Sequence, residues 1–218
     1  MKKLNTIELV SPSDIIAYSG IMMPKLVKFA IQNNLQGLEW ASGIPGTLGG
    51  GIYGNCGAYN DDIYHYLKEI IVLHNGKIEH IKADKVFHDY RKTFFQGKRQ
   101  YLILAAHLSL LPGDSKVSMD LINDRLKRRL VSQPLSYPSA GSVFRNPSKE
   151  MPAGKLIEES GLKNKSIGGA VISPKHANFI INTGTATAQD IIKLINLIKE
   201  TIKTVSYTHL TLPTTPYV

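Results

Sequence analysis

The stretch that decides the fold is Gly43-Ile-Pro-Gly-Thr-Leu-Gly-Gly-Gly-Ile-Tyr-Gly-Asn-Cys-Gly-Ala-Tyr59, in which six of the first twelve residues are glycine. Without Cβ atoms the backbone can adopt positive φ and approach a ligand closely, so successive N–H groups can converge on an anion such as a diphosphate. The stretch is not a nucleotide-triphosphatase P-loop, because no Lys-Ser/Thr pair follows, and it lacks the Gly-x-Gly-x-x-Gly spacing. A plain flexible loop is the alternative, which the regularly embedded Ile, Pro and Tyr residues disfavour.

Strand and helix signals alternate on both sides of this glycine-rich loop. Asp14–Tyr18 predicts a strand, and Pro24 followed by apolar residues at helical spacing predicts a helix that ends before Gly37. Beyond the loop, two apolar runs flank Asn75-Gly76, which predicts a β-hairpin. A long apolar run over residues 101–111 predicts one more strand. The first half of the chain is therefore expected to mix strands and helices.

A domain boundary is predicted at Pro112-Gly113, where chemistry and charge both change. Ser115 to Ser132 predicts a helix with apolar residues along one side: Val117, Leu121, Leu126 and Leu130. A short helix around 156–160 and strands at 170–173 and 178–181 follow. Thr187 and Asp190 form a capping pair before a final helix with Ile191, Ile195, Ile198 and Ile202 on one stripe.

These patterns predict an α+β fold in two parts, residues 1–112 and 113–205. Residues 206–218 carry no acidic or basic side chain except His209 and continue neither a helix nor a strand pattern. We therefore expect them to be a foreign or disordered tail and leave them out of the fold.

Composition narrows the function classes. The chain has 26 Lys and Arg against 17 Asp and Glu, a net charge of +9. The only dense basic cluster, Arg125 with residues 127–129, has no aromatic residue interleaved and is expected to be a solvated helix face, then an anion site, and only distantly a DNA contact. The histidines show no metal-binding spacing, so no metal is expected. One cysteine, no long apolar run and no signal peptide favour the cytoplasm and no membrane partner.

The loop resembles that of the UDP-N-acetylenolpyruvoylglucosamine reductase family, Gly-Ile-Pro-Gly-(Ser/Thr)-(Ile/Leu)-Gly-Gly followed by Asn-Ala-Gly-Ala-Tyr-Gly. Here Cys56 and Asn60 depart from the second part, so Asn60 must adopt the backbone dihedrals of a glycine. Further segments resemble the family in the same order: residues 89–95, 137–147, 153–163 and 173–179. The resemblance covers about residues 14–203.

This resemblance implies a partial FAD-binding domain of the PCMH or vanillyl-alcohol-oxidase type, followed by an α+β substrate-binding domain. It implies the NADPH-driven reduction of UDP-N-acetylglucosamine enolpyruvate to UDP-N-acetylmuramate through FAD, a step in peptidoglycan precursor synthesis. The partner is then a small molecule, a UDP-sugar enolpyruvyl ether, rather than nucleic acid.

The resemblance also implies the roles of individual residues. Arg91 would stabilise the negative charge that develops on the substrate, and Ser142 would deliver a proton to it. Tyr90 and Asn146 resemble positions that contact the substrate. The residues implied to bind the flavin all lie in the glycine-rich loop: Gly43, Ile44, Pro45, Gly46, Thr47, Gly49, Gly50, Asn55, Gly57 and Ala58.

Two departures leave alternatives open. In the family the flavin domain begins well before the position of Met1, and a glutamate near the C-terminus assists the proton transfer; neither segment is present here. The chain is therefore expected either to be a truncated enzyme of low activity or to be an inactive flavin-binding remnant.

Overall fold

A computed structural model describes residues 4–206 and 208–212 of the chain. These residues form two compact units, of which the first ends at Leu126 and the second begins at Lys127. Both units combine helices with antiparallel sheets, so the predicted α+β class is confirmed.

The first unit is built on eleven strands, most of them short. In chain order they are β1 Ile7–Leu9, β2 Asp14–Tyr18, β3 Leu35–Gln36, β4 Gly57–Ala58, β5 Asp61–Asp62, β6 Leu67–His74, β7 Lys77–Lys82, β8 His88–Asp89, β9 Lys92–Thr93, β10 Tyr101–Ser109 and β11 Leu111–Pro112. Five of them form one antiparallel sheet in the order β1-β2-β10-β6-β7. The long run at residues 101–111 thus supplies the central strand.

The predicted hairpin joins β6 to β7. Asn75 and Gly76 both have positive φ, 48° and 78°, as a two-residue turn of this twist requires. His74 pairs with Lys77 across the turn, so the hairpin is confirmed in its register.

Two helices of the first unit precede β4: α1, Met23–Gln32, and α2, Leu48–Tyr53. Pro24 occupies the first turn of α1, where its missing N–H costs nothing. The apolar residues spaced along α1 are buried in the first core, as their period predicts. Short 3-10 helices at Glu39–Ala41, Ile63–His65 and Ala83–Lys85 complete the unit.

Helix α3 spans Ser115–Ser132, the predicted bounds, but it buries a different face. Its buried residues are Ser118 and Ile122, and Ile122 belongs to the first core. The Ser118 hydroxyl donates to Glu39 Oε1 at 2.6 Å. The predicted apolar side is exposed instead, from 38% to 62%, at Val117, Leu121, Leu126 and Leu130. Because α3 begins on the first core, the two units divide within it rather than at the predicted Pro112-Gly113.

The second unit contains the strands β12 Ser139–Ser142, β13 Ser166–Ile167, β14 Ala170–Ile172 and β15 Phe179–Asn182, in the sheet order β12-β15-β14-β13. Helix α4, Ala153–Glu159, and helix α5, Ala188–Ser206, pack on one core with this sheet. The capping pair of α5 is confirmed, since Thr187 N donates to Asp190 Oδ2 at 2.9 Å and Asp190 N donates to Thr187 Oγ1 at 3.2 Å.

Within the predicted tail, the structure describes residues 206 and 208–212, and the latter lie outside any helix or strand. Leu210 is only 5% exposed in the second core, and Arg145 N donates to Thr211 O at 2.9 Å. Residues 206–218 were predicted to be a foreign or disordered tail, but Ser206 belongs to α5 and Leu210 is buried in the apolar core of the second unit. The remainder of the predicted tail, residues 207 and 213–218, lies outside the described residues.

Candidate functional site

The glycine-rich loop contains a short helix, α2, formed by its own residues. Thr47 caps the N-terminus of α2, its Oγ1 accepting from Gly50 N at 3.4 Å. Gly51 N donates to Thr47 O at 2.9 Å. These bonds turn the glycine run into a helical turn rather than leaving it flexible, which disfavours the plain-loop interpretation.

One side of the loop lies directly on the segment between β2 and α1. Leu48 N donates to Ile21 O at 2.9 Å and Gly49 N to Ser19 O at 2.8 Å. A Cβ on Gly49 would lie 2.8 Å from Ser19 Cβ, closer than real Cβ contacts come. Gly49 is therefore required for close packing, and its amide is directed at the protein rather than at a ligand.

The other side of the loop is open. Pro45, Gly46 and Gly50 are exposed, while Gly43, Ile44 and Thr47 are half-buried. Gly46 has φ +112°, and a Cβ there would meet no atom within 4 Å. This bare backbone rim leaves space for a large ligand to contact the main chain, as the glycine content predicts.

The second part of the loop, 55–62, is a tight hairpin between β4 and β5. Tyr59 and Asn60 form its turn, with φ of 58° and 62°. Asn60 therefore does adopt the left-handed conformation expected at a glycine position. A Cβ on Gly57 would lie 2.2 Å from Asp61 O, so only glycine fits there.

Asn55 is 1% exposed and connects this hairpin to the next one. Its Nδ2 donates to Asp89 O at 3.0 Å and to Asp62 Oδ2 at 3.3 Å. Its own backbone is left-handed, with φ 43°. The Nδ2 of Asn55 is thus committed to the protein, while its Oδ1 is buried without a hydrogen-bond partner among the described residues. Ala58 packs partly against the first core.

Cys56 is not poised for chemistry. Burial raises the pKa of its thiol to about 12, with only partial compensation by Arg91. A thiol that remains protonated is a poor nucleophile. Its role is packing, because the sulfur lies against Gly51, where a Cβ would come within 2.8 Å of it.

Arg91 lies in the two-residue turn between β8 and β9, and its guanidinium reaches back to the loop. Nη1 donates to Asn55 O at 2.8 Å, and Nη2 donates to Gly57 O. Arg91 has φ +57°, a conformation that costs a non-glycine residue about 1–2 kcal/mol. Tyr90 precedes it, 47% exposed, with its ring centroid 4.9 Å from the Arg91 Cζ. A fixed positive charge therefore lies beside the loop.

The basic cluster on α3, Arg125 with residues 127–129, is only partly exposed to solvent. Lys127 and Arg128 are exposed, but Arg125 is half-buried, with its Cζ 4.6 Å from the ring centroid of Tyr59. This stacking on a loop residue joins α3 to the tip of the β4–β5 hairpin.

Ser142 ends strand β12 in the second unit and is exposed. Gly141 before it has φ +80°, and the pairing of β12 with β15 shifts register between Ser139 and Ser142. Immediately after it, Val143 N donates to Asn178 O at 2.8 Å. The serine hydroxyl is thus presented at the surface by a strand end that is anchored on one side.

Asn146 is exposed and has a structural contact, since its Oδ1 accepts from Ala153 N at 3.0 Å. That bond satisfies the first N–H of α4, because Pro152, at the N-cap position, makes no side-chain hydrogen bond to the helix. A substrate contact for Asn146 stays a prediction.

The structure brings Arg91 to the loop carbonyls of Asn55 and Gly57 within the first unit. Ser142 and Asn146 lie near one another along the chain of the second unit. Sequence reasoning missed the residues that hold these groups in place, Asp89 for the loop and Asn178 for the strand end. Both lie in segments that resemble the family, but their residue types alone indicate no such contact.

Comparisons with known proteins agree with this division. Residues 1–82 match the family described as an FAD-binding domain, and residues 133–212 match the C-terminal domain of UDP-N-acetylenolpyruvoylglucosamine reductase. An FAD-binding domain followed by the C-terminal domain of a reductase is the organisation of a flavin-dependent reductase.

Individual relatives are more specific. The chain is 44% identical to the UDP-N-acetylenolpyruvoylglucosamine reductase of Clostridium tetani over 92% of this chain and 65% of that protein. It is 40% identical to the corresponding protein of Thermotoga petrophila over 93% of this chain and 70% of that protein. The crystal structure of the reductase from Thermus caldophilus matches 98% of this chain and 74% of its own, with a TM-score of 0.84 and 29% identity.

The chain therefore belongs to the UDP-N-acetylenolpyruvoylglucosamine reductase family. It spans 65% of the length of the Clostridium tetani relative. No helix among the described residues is long and apolar enough to cross a membrane.

Proposed function

We propose that this chain forms the flavin-loop and substrate-binding part of an enzyme that reduces UDP-N-acetylglucosamine enolpyruvate to UDP-N-acetylmuramate, with NADPH as the reductant and FAD as the cofactor. The observation that carries the proposal is the contact of the Arg91 guanidinium with the carbonyls of Asn55 and Gly57. This contact supports the proposal because a permanent cation then lies beside the loop that resembles the family's flavin loop.

The residues of the loop fit the cofactor. The exposed rim at Pro45, Gly46 and Gly50 offers backbone without side chains in the way, and Gly46 has open space on its Cβ side. These residues, with Gly43, Ile44 and Thr47 beside them, would hold FAD. When bound, FAD supplies the hydride that is added to C3 of the enolpyruvyl group.

Arg91 is proposed to hold the carboxylate of the enolpyruvyl group. Negative charge develops at C2 and spreads onto that carboxylate, and a guanidinium stays protonated throughout. The two carbonyls occupy one N–H on each terminal nitrogen, and each nitrogen carries a second N–H for a ligand. Because the charge is already oriented, no reorganisation is needed when the substrate becomes more negative.

Ser142 is proposed to donate the proton to C2. A hydroxyl is small and neutral, and its exposure at the end of β12 leaves it accessible to a substrate. Tyr90 and Asn146 would contact the same substrate, and the cations of α3 would attract its diphosphate. We further propose that the enzyme works in the cytoplasm on this small molecule, with neither nucleic acid nor membrane as a partner.

Rapid mixing under anaerobic conditions tests the proposal. The enzyme of which this chain forms a part, loaded with FAD, should lose its flavin absorption on addition of NADPH and regain it on addition of the enolpyruvyl substrate. Failure to bind FAD, or reoxidation that ignores the substrate, would contradict it. Salt-dependent oligonucleotide binding without flavin would favour the nucleic-acid alternative instead.

A further inference from the structure

We propose that Asn178 is a positioning residue for Ser142: its side-chain amide clamps the backbone that follows Ser142 and so fixes where the hydroxyl points. The inference rests on the proposed function for the role of Ser142, but the clamp itself is a property of this chain.

The clamp consists of three hydrogen bonds in a buried place. Asn178 is 3% exposed. Its Oδ1 accepts from Phe144 N at 2.9 Å, and its Nδ2 donates to Phe144 O at 2.9 Å. Its backbone carbonyl accepts from Val143 N at 2.8 Å. One asparagine thereby satisfies three backbone groups in the two residues after Ser142.

The paired bonds to Phe144 fix an orientation and not merely a distance. An amide facing one peptide unit uses its oxygen for the N–H and its nitrogen for the C=O, as a neighbouring strand would. The clamp thus continues the β12–β15 ladder past its last strand pair, Ser142 with Phe179. Phe144 is itself 2% exposed, so its ring anchors the same residue in the core.

The clamp matters because the chain before Ser142 is weakly held. Gly141 is left-handed and the strand pairing slips there, so the ladder does not constrain the approach to Ser142. The direction of the Ser142 Cα–Cβ bond is consequently set by its own pairing with Phe179 and by the residues after it. A proton donor displaced by about 1 Å can lose two orders of magnitude in rate.

The turn that carries Asn178 is rigid in its own right. Ser173 is 0% exposed, and its hydroxyl accepts from Lys175 N at 3.1 Å and from His176 N at 3.3 Å. Asn178 N donates to His176 Nδ1 at 3.2 Å. The backbone that carries the Asn178 side chain is therefore itself fixed by hydrogen bonds, as a positioning residue requires.

The first test measures backbone order in the chain itself. In the unsubstituted protein the 15N order parameter of Ser142 should be near the ~0.85 of rigid backbone, and in Asn178→Ala it should fall below about 0.6. Ile172→Ala is the matched control, because Ile172 is fully buried in the same core but makes no bond to residues 143–144. It should lower overall stability and leave the order at Ser142 unchanged.

Asn178→Asp is the second variant and replaces one atom of the clamp. One carboxyl oxygen still accepts from Phe144 N–H, whereas the oxygen in place of Nδ2 faces Phe144 C=O and donates to it only when the carboxyl is protonated. The order at Ser142 should therefore fall at neutral pH and recover in part on acidification, a change that a failure to fold would not produce.

The second test is kinetic. In the flavin-loaded protein, Asn178→Ala should slow substrate-driven reoxidation about tenfold or more, with flavin reduction by NADPH changed less than about twofold. In the Ser142→Ala background the same substitution should add less than about twofold, because residues that act as one unit are not additive.

Unchanged order at Ser142 in both Asn178 variants would overturn the proposal, as would equal losses in the two half-reactions. If Ser142→Ala itself leaves reoxidation intact, the role proposed for Ser142 fails, while the order parameters still decide whether Asn178 positions it.

Discussion

Arg91 in the first unit and Ser142 in the second are held in opposite ways. Arg91 is fixed through its own side chain, by bonds from both terminal nitrogens to the carbonyls of Asn55 and Gly57. Ser142 is exposed, and the contacts that hold its position are made by the backbone: its own pairing with Phe179 and the bonds of the next two residues to Asn178.

Side-chain length explains the difference. An arginine side chain has about 2 kcal/mol of rotamer entropy, so a defined charge position requires contacts at the guanidinium itself. A serine hydroxyl is one torsion away from the backbone, so fixing the main chain nearly suffices. The comparison predicts that substitutions in the glycine-rich loop change the position of the Arg91 guanidinium. Substitutions in β15, or at Asn178 just before it, should change the position of the Ser142 hydroxyl.

The largest expected effect is that of Ser142→Ala. Under the proposed function, turnover should fall by at least about 10²-fold, the lower range for a positioned proton donor. Flavin reduction by NADPH should be nearly intact, since the hydroxyl acts only after it. Stopped-flow absorbance separates the two steps, with Ser136→Ala, an exposed serine upstream of β12, as control. Equal losses in both steps would break the assigned role.

Arg91→Ala should follow, with a loss of about 10²–10³-fold for one preorganised donor group. Arg91→Lys sharpens the comparison, because it keeps the charge and loses the two-carbonyl contact. If the contact positions the charge, Lys should recover less than about a tenth of the lost rate. A lysine variant as active as the original would show that charge alone is sufficient. Steady-state kinetics with varied enolpyruvyl substrate measures this.

Gly57→Ala tests the loop that holds Arg91. Its Cβ would lie 2.2 Å from Asp61 O, so we expect a loss of unfolding free energy of about 1–3 kcal/mol, typical of overpacking. Gly54→Ala is the matched control, as its nearest neighbour is Gly50 O at 3.5 Å, and it should stay within about 0.5 kcal/mol. Urea denaturation measures both. Similar values for the two would contradict the close approach at Gly57.

Thr187→Ala should cost about 1 kcal/mol of unfolding free energy, because it removes the hydroxyl that accepts from Asp190 N at the start of α5. Gln189→Ala, exposed in the first turn of the same helix, should be neutral. The test is again chemical denaturation. An unaffected Thr187 variant would mean that packing alone sets the start of α5.

The smallest effects are pH-dependent and opposite in sign in the two units. The hydrogen bond to Asp61 raises the pKa of His65 above 6.5, so its contribution to stability is complete below that pH and is lost as the pH rises through the folded value. Burial lowers the pKa of His176 below 6.5, so its contribution is complete above that pH and is lost on acidification.

Unfolding free energies of His65→Gln and His176→Gln, measured against the unsubstituted chain between about pH 5 and 8, check these signs. The deficit of the first variant should shrink as the pH rises, and that of the second as it falls. Two deficits that move in the same direction would refute the contrast.

Much of the fold was predictable because its signals are local. The strand Asp14–Tyr18, the helix Ser115–Ser132 and the hairpin at Asn75-Gly76 have the predicted bounds or register, since period, caps and turn residues each act within a few residues. The glycine-rich loop was recognisable for the same reason, as was the left-handed backbone at Asn60.

The face that α3 buries was not predictable. A buried serine replaces the apolar stripe, and only the partner Glu39, distant in sequence, makes that favourable. The buried Leu210 in the predicted tail is a second case, because one leucine has no periodicity, and its burial depends on space in the core of the second unit.

The sequence by itself determined the element types, the turn backbones and the family, including Arg91 and Ser142 as the candidate reactive residues. The tertiary structure alone decided what holds them: the carbonyls of Asn55 and Gly57 for the guanidinium, and Asn178 for the strand that bears the serine. The physical reason is range. Propensity and capping act between near neighbours, whereas these hydrogen bonds join residues about 34 to 36 positions apart, whose pairing exists only once the chain has folded.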